Sequence, residues 1–141
     1  MPLDRAERAL KILLRAAGAV MLCALPFAFL PRAWLAGIHA ALGLGAYPEG
    51  PVIDYLARTA SLLYAGLGGL YLLLSRDLAR FRPAIAYLAW TGLLFSVLML
   101  GIDVSAGLPR WWVWGEGPVV AALSLALGLL NRSVGRPDPS A

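Results

Sequence analysis

The sequence predicts an all-α integral membrane bundle of four transmembrane helices, with an interfacial amphipathic helix between helices one and two. Its residues are 60% hydrophobic and 14% charged, with a mean hydropathy of +0.74. An ordinary soluble domain carries about 25% charged and roughly 45–50% apolar residues. A chain of 141 residues is long enough for one domain. So small a domain leaves much of its surface exposed, and in water it cannot hide this apolar excess. The apolar residues fall into four long runs with the basic residues between them, the arrangement of a multi-pass membrane protein.

A spanning helix needs roughly 20 mostly apolar residues to cross about 30 Å of hydrocarbon. The first predicted span covers residues 12–30. Arg15 lies one turn inside and snorkels to the interface, Pro26 kinks the helix and Pro31 closes it. Arg5, Arg8, Lys11 and Arg15 look like the charged start of a secretory signal. No Ala-x-Ala-like cleavage site follows Phe27 to Leu30, and Leu22 is too bulky to precede a lipidated Cys23, so an uncleaved helix is expected. Cys23 is the one cysteine, which excludes an internal disulfide or dithiol relay and reads as a small buried hydrophobe.

Residues 32–45 are too few and too polar to cross. Trp34, Leu35, Ile38, Ala41 and Leu42 recur on one helical face, with Arg32, Ala36, His39 and Gly43 opposite. This is the pattern of a helix lying in the interface, with a re-entrant hairpin as the alternative. The second span, 52–75, follows the turn-forming Tyr47-Pro48-Glu49-Gly50-Pro51. The third, 84–102, is opened by Pro83. The fourth, 113–130, is clean only from Pro118 to Leu130. It starts either among the tryptophans or at Pro118, which recesses Glu116. Residues 133–141 read as a disordered tail.

Orientation follows from the positive-inside rule. Nine basic residues (Arg5, Arg8, Lys11, Arg15, Arg76, Arg80, Arg82, Arg132 and Arg136) fall on one side, against Arg32, Arg58 and Arg110 on the other. Both termini are therefore expected in the cytoplasm, in a bacterial cytoplasmic (inner) membrane. Trp34, Trp111, Trp112 and Trp114 then form an outer aromatic belt. Leu30-Pro31-Arg32-Ala33-Trp34 and Leu108-Pro109-Arg110-Trp111-Trp112 echo each other. A duplicated two-helix unit explains this, as does the same proline, arginine and tryptophan solution reached twice; the poorly matched flanks favour the latter.

One polar constellation carries the candidate chemistry. Asp54, Arg58, Ser61, Ala65, Gly68 and Gly69 lie within about 100° of one another on the second span, and small residues let helices approach closely. Gly92, Ser96, Met99 and Asp103 share a face of the third. Arg58 sits about 6 Å along the axis from Asp54. Its permanent charge needs carboxylate or phosphate partners or water, and Asp54, Asp103 and Glu116 are available. Glu116 precedes a helix start, where the helix dipole favours an anion. Two readings follow: a salt-bridge network that fixes packing, or an outward-opening pocket lined by Asp54, Arg58, Asp103, Glu116 and also Tyr64, Arg32 and His39. Such a pocket suits a lipid headgroup or an amphiphilic molecule.

Other chemistries are disfavoured. His39 is the only histidine, so a bis-imidazole haem is excluded, there is no c-type attachment motif, and a transition-metal site lacks ligands. His39 reads better as a wet-face residue than as an acid/base. Ser61 has no positioned base and reads as packing. The Tyr64 to Tyr71 glycine run lacks the strand and lysine of a phosphate loop. Ala122/Ala126 and Ser124/Gly128 repeat small residues four apart on the last helix. No catalytic residue or cofactor is assigned. The net charge of +4 is distributed by topology rather than gathered in a patch, which argues against nucleic acid.

The basic start of the first helix (Lys11, Arg15), its small residues (Ala16, Ala17, Gly18, Ala19) and the glycine-rich second helix (Gly66, Gly68, Gly69) resemble the small bacterial DoxX-like four-helix membrane proteins. The resemblance spans nearly the whole chain as architecture. It implies the fold and no functional residues.

Three functions fit these features. The first is a non-enzymatic subunit, assembly factor or lipid-binding module, partnered by membrane lipids and by another membrane protein or itself. The second is a membrane enzyme acting on a lipid or sterol-like substrate, with Asp54, Asp103 or Glu116 as acid or base. The third is a small oligomeric transporter, which lacks an ionisable residue near the midplane, where coupling sites usually lie.

Overall fold

The computed structural model describes residues 5–134, whose regular elements are all helices, with no strand among the described residues. In chain order the elements are α1 (Arg5–Leu22), a 3-10 turn (Leu25–Ala28), α2 (Arg32–Ala41), α3 (Pro51–Leu74), α4 (Leu78–Ser105), α5 (Arg110–Gly115) and α6 (Gly117–Ser133). Four stretches are long and apolar enough to cross a membrane: Arg5–Ala28, Pro51–Leu74, Leu78–Ser105 and Arg110–Ser133. Of the tail expected at 133–141, Ser133 ends α6, and residues 135–141 lie outside the described residues.

Helix ends follow local chemistry. Pro26 converts the end of the first span into 3-10 geometry. Pro31 and Pro109 occupy matching N-cap positions (φ −58°, ψ 145° and φ −55°, ψ 144°), each followed by arginine at the first helical position. The repeated Leu-Pro-Arg therefore opens two short helices in the same way. Proline suits such a position because its own N–H is not needed there.

The ends of α2 and α4 also match. Leu44 N–H donates to His39 O and Gly43 N–H to Ala40 O, and Leu108 and Gly107 do the same to Asp103 O and Val104 O. These are Schellman closures, and they require a left-handed residue after the cap. Gly43 (φ 72°) and Gly107 (φ 69°) supply it.

One boundary differs from expectation, and another takes in both of the expected alternatives. α4 starts five residues before Pro83 and keeps that proline inside. The Asp77 side chain accepts from Arg80 N–H at 3.0 Å and caps the helix there, so the start lies at Asp77 rather than at the proline. The fourth span is a broken helix: α5 carries the tryptophans, Glu116 (φ −97°, ψ −75°) is the joint, and α6 begins at Gly117 with Pro118 in its first turn.

The chain divides into two compact units. In the first, residues 16–72, α1 and α3 cross at Gly18 and Gly68. A Cβ on Gly68 would stand 2.7 Å from Gly18 O and 2.9 Å from Leu22 N. Gly66 and Gly69 meet nothing within 4 Å, so of the three glycines on α3 only Gly68 is required by the crossing.

The second unit, residues 5–15 with 73–134, is built on α4 against α6. The buried stripe of α4 is Ile85, Ala89, Ser96 and Asp103, and that of α6 is Gly117, Ser124, Leu127 and Asn131. The helices run antiparallel: Gly117 packs on Ser96 and Leu100, Gly92 on Ser124, and Gly128 on Ala89. The last pairing is closed by reciprocal bonds, Asn131 Nδ2 to Arg82 O and Arg82 Nη2 to Asn131 O, each 3.1 Å. Ser124/Gly128 thus faces α4, whereas Ala122 is exposed. Elsewhere the helices present apolar surface outward: Val20, Phe29, Leu63, Val97 and Trp114 are 68–73% exposed.

Candidate functional site

The polar cluster of the first unit is assembled by the loop 42–50, which brings α2 back to the start of α3. Arg32, at the first position of α2, donates from Nη1 to Asp54 Oδ2 at 2.7 Å and from Nη2 to Pro48 O at 2.8 Å. Its guanidinium lies 5.1 Å from the Tyr47 ring centroid. Asp54 stands in the first turn of α3, where the helix dipole also favours its charge. The pair is partly exposed, so it orients the loop more than it stabilises the fold.

His39 extends the cluster. Its Nδ1 lies 3.2 Å from Gly45 O, and its ring meets Tyr47 edge-on at 5.4 Å. Tyr47 is thus held between an arginine and a histidine. Its Oη and Asp54 Oδ1 are both buried without a partner in hydrogen-bond geometry. Burial first, then the nearby charge of Asp54, raise the Tyr47 phenol above its ordinary value. The Arg32 guanidinium is held more firmly protonated, chiefly by its hydrogen bond to Asp54.

Arg58 is placed differently from expectation. Its Nη1 donates to Ala28 O at 2.8 Å and its Nη2 to Leu30 O at 3.0 Å. The sequence pointed to carboxylate or phosphate partners or water; the partners found are backbone carbonyls. Carbonyls at a helix end have no partner within the helix, and the 3-10 turn imposed by Pro26 leaves these two to be satisfied by a side chain. Tyr64 lies farther along α3, 39% exposed. Ser61 donates to Ala57 O of its own helix at 2.8 Å, as a packing serine does.

Asp103 and Glu116 belong to the second unit. Glu116 accepts from Trp112 Nε1 across the α5–α6 joint. Asp103, near the end of α4, is 1% exposed and its Oδ2 has no hydrogen-bond partner. The structure therefore joins Arg32 to Asp54 directly and His39 to Arg32 only through Tyr47, places Arg58 on the carbonyls of Ala28 and Leu30, and sets Asp103 and Glu116 on the other unit. The residue missed in the sequence was Tyr47, which read only as part of a turn. Nothing in its spacing signals that the loop folds it onto Arg32 and His39.

One consequence concerns pH. A phenol with a raised pKa stabilises the loop fully below the ordinary tyrosine value near 10, and that contribution is lost as pH rises through the raised value. Asp54→Asn is expected to move Tyr47 ionisation back toward the ordinary value. The difference in phenolate absorbance against Tyr47→Phe, with and without the substitution, measures it; an unchanged titration would contradict the coupling. Searches against protein-family models, curated proteins and solved structures found no match to this chain.

Proposed function

We propose that the chain is a non-enzymatic membrane protein of the bacterial cytoplasmic membrane, acting as a small subunit, assembly factor or lipid-binding module. Both termini lie in the cytoplasm and the Arg32–Asp54 cluster faces outward. The observation that carries the non-enzymatic reading is that both guanidinia of the cluster bond to the chain's own oxygens. The cluster works as a clamp that fixes α2 and the end of the first span to α3. Support for the membrane setting is that the long apolar helices keep many of their large hydrophobic residues exposed, Val20, Leu63, Val97 and Leu129 among them, as a contiguous patch for lipid would require.

The test is native mass spectrometry of the chain gently extracted from its own membrane. A co-purifying polypeptide or retained lipid is the expected result; turnover of a lipid or sterol-like compound by the purified chain alone would overturn it. One observation favours that enzymatic reading: Asp103 is a buried carboxyl with a free oxygen, the kind of group used in proton transfer. On the proposal made here, Asp103→Asn leaves the fold and the co-purifying species unchanged. Loss of a turnover while the variant stays folded would favour the enzyme.

A further inference from the structure

A groove of ≈ 130 Å³ runs between α4 and α6 within the second unit. It is lined by the small residues Ala86, Ala89 and Gly128 and by the apolar side chains of Leu93, Leu125 and Leu129. Such a channel fits a segment of an alkyl chain, and nothing acidic lines it. One end is polar. Asn131 lines the groove and is 6% exposed, and its Oδ1 is buried without a partner while its Nδ2 is committed to Arg82 O. A buried amide oxygen left unpaired is costly, so it awaits a donor.

Arg132 stands beside it. Instead of extending away from the helix end, its guanidinium lies 5.8 Å from the Trp90 ring centroid, and Trp90 belongs to the fourth turn of α4. Both residues line the groove. Arginine keeps its charge, and an aromatic face compensates only part of it. The guanidinium is exposed, so the rest of its charge is open to an anion from outside the chain. Arg82, bonded to Asn131 O, adds a second positive charge at the same end.

We propose that this groove binds one anionic phospholipid, with its phosphate at Arg132, a headgroup hydroxyl donating to Asn131 Oδ1, and one acyl chain along Ala86, Ala89 and Gly128. Basic pockets between helices on the cytoplasmic side are where such headgroups are held. A second copy of the chain is a poorer occupant, because it would bring the same arginines against these. The inference rests on the membrane reading above.

The test titrates the full chain in detergent micelles with phosphatidylglycerol or phosphatidylcholine of identical acyl chains, read by native mass spectrometry. One phosphatidylglycerol per chain is expected, retained about tenfold better than phosphatidylcholine. Arg132→Gln should weaken retention about fivefold. Ala86→Phe, which fills the groove and leaves every charge in place, should weaken it similarly. If Arg132→Gln does not fold, Ala86→Phe decides.

Equal retention of the two lipids, or phosphatidylglycerol retention unchanged in the variants that fold, overturns the proposal. So does a dimer that forms without phosphatidylglycerol and is lost in Ala86→Phe. A chain that stays in solution without detergent overturns the membrane reading itself, a failure distinguishable from the absence of lipid preference.

Discussion

Gly68→Val is expected to destabilise the chain by about 3 kcal/mol, the upper range for overpacking a tight contact. The new side chain would meet backbone atoms of α1, Gly18 O and Leu22 N, which cannot rotate aside as a side-chain end can. Gly18→Val should cost about as much, because it meets Gly68 O from the other side. The double variant should cost less than the sum, since both act on one crossing. Gly66→Ala and Gly69→Ala provide the contrast: each enters open space and should gain about 0.5–1 kcal/mol from helix propensity. Denaturant titration in mild detergent checks all five. Equal losses at Gly66 and Gly68 would contradict the crossing.

Arg58→Leu is the second large effect. It removes two charge-assisted hydrogen bonds, each contributing about 1.5–3 kcal/mol, and leaves the carbonyls of Ala28 and Leu30 without a donor. A loss of about 3–5 kcal/mol is expected, with Arg58→Lys recovering part of it, because an ammonium lacks the planar fork that reaches both oxygens. The readout is amide exchange, which should quicken around residues 25–31. Asp54→Asn should leave that segment protected, because Asp54 pairs with Arg32. If Asp54→Asn and Arg58→Leu expose the same amides equally, the two arginines do not have the separate roles assigned to them.

The parts of the fold legible in the sequence were those set by long-range periodicity. The stripe Gly92, Ser96, Met99 and Asp103 was visible from spacing, and Ser96 and Asp103 are among the buried residues of α4. The four apolar runs correspond to four candidate spans for the same reason. Helix ends were less legible, since they depend on single capping groups: Asp77 outcompetes Pro83 as the start of α4, and Pro26 ends α1 early by leaving a 3-10 turn. Side-chain partners were least legible. Arg58 announces a charge that needs partners, but whether these are carboxylates or carbonyls depends on where a broken helix end falls. Tyr47 and Asn131 gain their importance only from tertiary placement.

In the proposed topology four helices cross a bilayer with the Arg32–Asp54 cluster outside. The most direct test replaces Cys23 with serine and places single cysteines at Glu49, Arg76 and Ala106, then labels intact cells with a membrane-impermeant thiol reagent. Labelling of Glu49→Cys and Ala106→Cys, with Arg76→Cys reacting only after permeabilisation, is the predicted result. Labelling of Arg76→Cys from outside, or equal reactivity of all three before permeabilisation, would contradict it.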